Sequence, residues 1–520
     1  MAANATSSSL ALSADIDVGV VGAGAMGAGI AQVAALAGHR VRLFDTRTGA
    51  AQAAVESIVA IIQKLLAKGR VTEAQSAAVR NGLSAIDSLT EFANCGLIIE
   101  AIVENLEAKR TLFRGLEEIV DAEALLATNT SSISITSIAS GLRHPARVLG
   151  MHFFNPAPLM PLVEIVSGTN TTQAAAETLH ATATQWGKVP VYARSSPGFI
   201  VNRVARPFYA EALRVLNERA SDCATIDAVL RESGGFRMGP FELMDLIGND
   251  VNYAVTRSVF DAFYADPRFT PSLLQLELVE AGFLGRKTGR GFYIYGDNAP
   301  PIVPRTFDPA PTPTQIRLFG SNAFTNALAE RLTHASQTFE RANTHSDGRL
   351  AECDACAIYA TDGRTATAHA AANSIANTVL LDLALDYDKA TRLAITPADQ
   401  SDEHALTGAA GLLQAAGYAV SSIDDIPGMI VLRTVAMLAN EAADAVNHGV
   451  CSAADCDLAM RKGVNYPKGP LEWADFLGLA TIVTALENIG NAYGEDRYRI
   501  SPLLRRKALS NASFSERITS

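Results

Sequence analysis

The chain is poor in cysteine, in net positive charge and in long hydrophobic runs free of glycine. Six cysteines in 520 residues make no disulfide framework and point to a reducing compartment. Lys and Arg (43) are outnumbered by Asp and Glu (54), for a net charge of −11 and a pI near 5.4. That balance argues against a generic nucleic-acid or anionic-membrane binder, and still allows a local basic patch for a phosphorylated ligand. The first fourteen residues, MAANATSSSLALSA, carry no charged side chain. They lack both the basic start and the long apolar core of a secretion signal, so residues 1–14 are predicted to be a disordered lead-in and the protein cytoplasmic. Residues 18–38 are uncharged over a length that could cross a membrane. They hold six glycines in a strand–turn–helix pattern, however, and the soluble reading is preferred.

What is present is a chain too long for one core, with 48% apolar residues, enough for about three or four domains. DVGVVGAG is a buried strand entering a glycine turn, AMGAGIAQVAALAGH a small-residue helix, RVRLFD a second strand and AAQAAVESIVAIIQKLLAKG a long amphipathic helix. The alternation continues to KVPVYA and predicts an α/β domain with a parallel sheet over 15–194. Helical periodicity takes over in 195–296. Residues 297–315 contain six prolines, the composition of a stiff extended linker. Residues 316–424 are mixed again, with AIYATDGRTATAHA suggesting a hairpin turned at Asp362-Gly363, and 425–510 is helical. Residues 187–248 align with 417–478 at a constant offset of 230, without a gap and with 17 identities in 62 positions. Background composition would give roughly 4. The chain is thus an internal duplication of a sheet-plus-helices unit.

Gly22, Gly24 and Gly27 form G-x-G-x-x-G between a strand and a helix, and the next strand ends at Asp45, 18 residues after Gly27. In that context the pattern is a dinucleotide fingerprint. Gly22 permits the turn, Gly24 lets a pyrophosphate approach, and Gly27 allows close helix–strand packing, while the helix N-terminus supplies N–H donors. Asp45 can accept both ribose hydroxyls and repel a 2′-phosphate, which favours NAD over NADP; Arg47 is a cation that could offset that preference. In MHFFNP, His152 follows an apolar segment, and Glu164 lies twelve residues on in LVEIV. A carboxylate in an apolar strand needs a partner, and an imidazole paired with it becomes more basic. From composition alone a packing histidine is the favoured reading; beside the fingerprint the order reverses, and a base for a hydride-transferring dehydrogenase is favoured.

Taken together, GAGAMGAGIAQVAALAGH, EAIVEN, NTSS, GMHFFNP, LVE, PGFIVNR and GRKTGRGFY resemble the L-3-hydroxyacyl-CoA dehydrogenase family over residues 16–296. The remainder is similar to its long bacterial form, which includes 3-hydroxybutyryl-CoA and 3-hydroxyadipyl-CoA dehydrogenases of phenylacetate degradation. The resemblance implies an N-terminal Rossmann domain (15–194), a helical domain (195–296), a reduced Rossmann-like domain (316–424) and a second helical domain (425–510). It implies NAD as cofactor and an acyl-CoA as substrate. It further implies His152 as base, Glu164 as its orienting partner, and Ser131 and Asn202 as hydrogen-bond partners of the substrate C3 oxygen. Glu104, Lys109, Asn129, Asn155 and Lys287 fall where the family contacts NAD. Lys68 falls where it touches the CoA nucleotide, and Lys64 and Arg70 could complete a phosphate patch. The family can also place a Ser seven residues before that Lys, where this chain has Ile61.

PGFIVNR (197–203) returns as PGMIVLR (427–433), with Leu432 in the place of Asn202. The second copy lacks the glycine fingerprint and HFFNP, so an amide there would have nothing to serve. CDAC (353–356) has metal or redox spacing, but no second pair accompanies it and no metal is expected. The expected arrangement is an intrachain pseudo-dimer of helical domains, with room for a further homo-oligomer. Two rival readings remain: a non-catalytic NAD-binding structural protein, and an NAD dehydrogenase of small hydroxy acids that does not use CoA.

Overall fold

The computed structural model describes residues 10–354 and 356–515, so part of the predicted lead-in lies outside the described residues. The chain divides into two compact units, residues up to Arg203 with His448–Val464, and Val204–Asn447 with Asn465 onward.

The first unit is built on eight strands: β1 (Asp17–Val21), β2 (Val41–Phe44), β3 (Leu83–Ala85), β4 (Cys95–Glu100), β5 (Leu125–Thr128), β6 (Val148–Phe153), β7 (Leu162–Ser167) and β8 (Val189–Arg194). Their order is β3-β2-β1-β4-β5-β6-β7-β8. β1 is buried at every residue, as a strand covered on both faces must be. All neighbours are parallel except β6 and β7, which corrects the all-parallel expectation. Only residues 154–161 join those two strands, too few for the crossover that parallel pairing requires. The antiparallel register sets His152 directly opposite Glu164.

Helix Ala50–Ala67 is long and apolar enough to cross a membrane, but its buried residues Ala51, Val55, Ile58 and Ile62 make one stripe against the sheet core.

The second unit carries β9 (Ile316–Phe319), β10 (Glu340–Ala342), β11 (Ala351–Cys353), β12 (Cys356–Ala360), β13 (Thr378–Leu381), β14 (Arg392–Pro397) and β15 (Ala419–Ser422), in the order β10-β9-β11-β12-β13-β14-β15. The hairpin expected at Asp362-Gly363 is not there. The chain turns at CDAC instead, with Cys353 opposite Cys356. After Gly363 it enters helix Ala366–Asn373, because Thr365 caps Ala368 N and the Asp425 carboxylate takes Ala366 N and Thr367 N. The proline-rich segment has no regular structure, yet it is no free spacer. Backbone N–H groups of Arg305, Phe307 and Ala310 donate to Thr225 Oγ1, Val420 O and Gln414 Oε1.

The duplication extends further in structure than in sequence. β7 and β14 are offset by 230 at both ends (162 to 392, 167 to 397), and so are helices Gln173–Gln185 and Glu403–Ala415. Each sheet also receives a corresponding helix. Helix Cys223–Glu232 lies against β14 in the second unit, and Ala453–Gly463 lies against β7 and β8 in the first. Within the second unit, helices Arg206–Asn217 and Val431–Asn447 pack together. There Tyr498 Oη donates to Glu211, and Arg268 donates to Glu441. Adding 230 to 268 and 211 gives 498 and 441, so these two contacts are images of each other, the signature of an isologous interface.

Candidate active site

The glycine turn shows three different needs. At Gly22 (φ 106°) an added Cβ would lie 2.5 Å from Ala101 O, and at Gly27 it would lie 1.7 Å from Gly22 O. At Gly24 it would meet nothing within 4 Å. The outer glycines therefore serve the protein's own packing, and Gly24 leaves the open backbone approach that a pyrophosphate needs. Gly24 caps helix Ala25–Leu36 without a side-chain hydrogen bond, so the first-turn N–H groups remain available to an anion. Asp45 Oδ2 accepts from Ala23 N at 2.8 Å, which fastens the end of β2 to this turn. Hydrogen bonds from Arg47 hold the Asp45 carboxyl down at about 2, so it is an anion at every working pH. These residues fit the diphosphate and ribose of NAD.

At the end of β4, EAIVEN supplies a second layer. Lys109 is fully buried, with Nζ 2.6 Å from Glu100 and 3.3 Å from Glu104. Glu104 Oε1 accepts from Thr130 Oγ1, Ser131 N, Ser132 N and Ser132 Oγ. Burial raises the Glu104 pKa, but the Thr130 hydroxyl, Lys109 and Ser132 outweigh it and leave the carboxyl below its usual range. Glu104 thus shapes the loop that presents Ser131. Lys109 lies beneath that carboxylate, away from open surface.

His152 Nδ1 lies 2.6 Å from Glu164 Oε2, with both side chains buried. Glu164 Oε1 meanwhile accepts from Ile200 N and Val201 N at 3.0 Å each. One carboxylate therefore orients the imidazole and also caps the helical turn that carries Asn202. Asn202 is half-buried and, among the described residues, its amide makes no hydrogen bond. Phe199, at φ 47°, sets an aromatic edge against the imidazole with ring centroids 5.7 Å apart. On the other side of His152, Asn129 Oδ1 accepts from Phe153 N at 2.8 Å. Asn155 is exposed at a cis peptide to Pro156.

His152, Asn129, Glu104, Ser131 and the glycine turn sit at or just beyond the carboxyl ends of strands of one sheet, where open α/β sheets bind their ligands, and the antiparallel register of β7 brings Glu164, near that strand's start, to the same edge. Lys287 belongs to the second unit, where its ammonium pairs with Asp250 at 2.6 Å. Lys64, Lys68 and Arg70 are exposed at the end of helix Ala50–Ala67 and, among the described residues, form no ion pair. Ile61 on the same helix is 42% exposed. Among the described residues, no cluster of His, Cys, Asp and Glu could hold a metal.

Sequence reasoning missed Glu100, Thr130 and Lys188. Glu100 was accessible, because it is a carboxylate in an apolar strand, the same argument that singles out Glu164. Lys188 Nζ is buried and donates to Ala157 O and Met160 O; nothing in its sequence context marks it.

Three family models match the chain: the 3-hydroxyacyl-CoA dehydrogenase NAD-binding domain over 17–196, the C-terminal domain over 198–295 and again over 428–514, and the 3-hydroxybutyryl-CoA dehydrogenase reduced Rossmann-fold domain over 358–427. A 3-hydroxyadipyl-CoA dehydrogenase of Escherichia coli K12 is 43% identical over 497 residues, 96% of this chain and 98% of that one. The chain belongs to the 3-hydroxyacyl-CoA dehydrogenase family. The crystal structure of a 3-hydroxybutyryl-CoA dehydrogenase from E. coli K12 superposes with a TM-score of 0.87 at 42% identity, covering 96% of this chain and 99% of that one. The mitochondrial hydroxyacyl-coenzyme A dehydrogenase of Sus scrofa is 39% identical over 285 residues, which is 54% of this chain and 90% of that enzyme. The chain is therefore an NAD-dependent enzyme of hydroxyacyl-CoA oxidation, with a Rossmann domain, helical C-terminal domains and a reduced Rossmann domain.

Proposed function

We propose that the chain oxidises an L-3-hydroxyacyl-CoA to the 3-oxoacyl-CoA with His152 as general base. The observation that carries this is the buried His152–Glu164 pair, whose carboxylate also caps the helical turn carrying Asn202, an amide with no hydrogen bond among the described residues. Glu164 engages Nδ1, which leaves Nε2 as the proton acceptor and stabilises the imidazolium that forms. Ser131 and Asn202 hold the C3 oxygen as its proton leaves, donating to the developing charge without competing for the proton. The glycine turn and Asp45 would hold NAD, which would supply the hydride acceptor. Glu104 sets the Ser131 loop and Lys109 acts through Glu104. Asn129 fixes the backbone next to His152, and Asn155 extends the cofactor contacts.

The exposed basic end of helix Ala50–Ala67, with Ile61 beside it, suits a nucleotide that presents phosphate and an aromatic face, and Lys68 takes the CoA phosphate there. The two helical segments stand for the two halves of a dimer within one chain. The free cysteines suit a cytoplasmic enzyme, and the substrates named for the long relatives suit phenylacetate catabolism. The test is NADH formation from a panel of L-3-hydroxyacyl-CoAs. A chain that binds NAD but oxidises none of them overturns the reading.

A further inference from the structure

Glu100 ends β4 as a buried carboxylate that takes no part in the proton transfer. Its Oε1 accepts from Lys109 Nζ at 2.6 Å and from Ile102 N at 2.7 Å, and its Oε2 accepts from Thr128 Oγ1 at 2.7 Å. The bond to Ile102 folds the side chain back beside Ala101, whose carbonyl oxygen packs against Gly22. The Thr128 hydroxyl ties Glu100 to the end of β5, and the same hydroxyl oxygen accepts from Thr130 N. Glu100 thus touches both the glycine-turn side of the site and the loop that carries Ser131.

Charge is divided unevenly around it. Lys109 is the cation that acts on Glu104, yet its Nζ lies 2.6 Å from Glu100 and 3.3 Å from Glu104 Oε2. The Lys109 and Glu100 side chains are 1% and 0% exposed, whereas that of Glu104 is 38% exposed. Two close charges removed from water hold each other tightly, and the longer, more solvated pair is weaker. One ammonium against two carboxylates leaves one negative charge, and it stays on Glu104. The donors of the Ser131 loop fill Oε1 and keep that carboxylate ionised. Among the described residues, Oε2 has Lys109 alone.

The reaction says what this charge acts on. Ser131 N donates to Glu104, and Ser131 is read as a partner of the C3 oxygen. Hydride passes directly between C3 and the nicotinamide, so the reacting atoms come within about 3–3.5 Å of each other. A charge bonded to the Ser131 backbone therefore faces the nicotinamide end of the cofactor. That ring is a cation in the oxidised cofactor and neutral in NADH.

We propose that Glu100 is a positioning residue that holds Lys109 back from Glu104, so that the negative charge left on Glu104 makes the site prefer the oxidised, cationic nicotinamide to the reduced, neutral one. This rests on the reading of Ser131 as a partner of the C3 oxygen.

The test reads binding, with the full-length protein and no acyl-CoA: the dissociation constants of NAD and NADH by calorimetry. In Glu100→Gln the neutral amide competes less for the ammonium, which turns to Glu104. The ratio Kd(NADH)/Kd(NAD) is expected to fall about tenfold, the screened effect of one unit charge on another near a protein surface, mainly through weaker binding of NAD. If Glu100 only staples β4 to β5, both constants rise by the same factor; that outcome overturns the proposal, and so does an unchanged ratio. Glu104→Gln keeps a carboxamide oxygen for the Ser131 loop and removes the charge directly, so it should shift the ratio in the same direction. An unchanged ratio there overturns the proposal even if Glu100→Gln does not fold. An unmutated protein that oxidises an L-3-hydroxyacyl-CoA while the ratio stays fixed in both variants overturns the proposal alone. One that oxidises none takes down the reading of Ser131 with it.

Discussion

Glu164 serves two partners with its two oxygens, His152 Nδ1 through one and the N–H groups of Ile200 and Val201 through the other. That division separates two substitutions that act on the same proton transfer. His152→Gln leaves the helix cap in place. It is expected to lower kcat by about 10²–10⁴, the usual share of a general base, with an unchanged melting temperature and unchanged NADH affinity. A loss below tenfold removes His152 from that role. Glu164→Gln has only one acceptor oxygen: with that oxygen on the backbone its amide N–H can only donate to Nδ1 and hold the wrong tautomer, and with it on the imidazole the two backbone N–H groups lose their acceptor. It should lower kcat and also cost about 1–3 kcal/mol of stability, read by denaturant titration; unaltered stability would mean that the cap is dispensable. Asp45 follows a simpler argument. With Ala23 N and Arg47 held by its carboxylate, Asp45→Ala should raise KM for NAD and narrow the preference over NADP. An unmutated enzyme that already prefers NADP contradicts the assignment.

At the scale of elements, the second sheet carries other residues where the first has the proposed base and its partner. Glu164 plus 230 is Ala394, and His152 plus 230 is Asp382. The register agrees, because Asp382 N donates to Ala394 O as His152 stands opposite Glu164. Asp382 now accepts from Ile430 N, Val431 N and Leu432 N. The carboxylate of the second copy thus stands at the end of the neighbouring strand and serves the helix cap without an imidazole partner. Burial pushes its pKa up to about 6 against the pull of those N–H groups. The folded chain therefore holds a proton between about pH 4 and 6 that the unfolded chain has released. The stability Asp382 contributes is greatest below that window, falls as pH rises through it, and is level above it. Asp382→Asn removes this slope. The stability difference between variant and unmutated protein should change by on the order of 3 kcal/mol across the window, and a difference independent of pH would contradict it. Leu432 is 3% exposed, so Leu432→Asn should lose about 1–3 kcal/mol and create no second site, since neither His nor Glu stands beside it. Little of this was legible beforehand. The repeat was readable over 187–248, where turns fix residue identity. Upstream, β7 and β14 keep register while exchanging nearly every side chain, because a buried strand constrains hydrophobicity and not identity. The same limit explains the misplaced hairpin: the polar Asp362-Gly363 pair resembles a turn, whereas the real turn lies between two cysteines. In the first copy, by contrast, the glycine turn is legible because close packing at Gly22 and Gly27 restricts the residue itself.

At the scale of the whole molecule, the duplication carries a dimer's logic into one chain. The sheet of the first unit is covered at β7 and β8 by helix Ala453–Gly463, tightly enough that a Cβ on Gly463 would lie 2.6 Å from Leu162 Cδ2. In the second unit, helix Val431–Asn447 covers Arg206–Asn217 and places Arg433 on Glu211. Ending the chain after residue 296 removes both covers. It leaves bare the β7–β8 face, the apolar side of helix Arg206–Asn217 and the buried carboxylate of Glu211. Helix Cys223–Glu232 stands 230 residues before Ala453–Gly463 and already packs on β14, the counterpart of β7. A second copy of the fragment can therefore supply, with its own Cys223–Glu232, the helix that the first has lost, and the exchange is mutual. The fragment is expected to form a symmetric dimer that buries roughly 2,000 Å² or more. It should oxidise 3-hydroxyacyl-CoA, since every proposed catalytic residue lies before residue 203, and sedimentation should show two fragments per particle with one NAD bound by each. The full-length chain should bind one NAD by calorimetry. A fragment that stays a stable, soluble monomer, or a full-length chain that binds two NAD, would show that the second half is more than a retained scaffold.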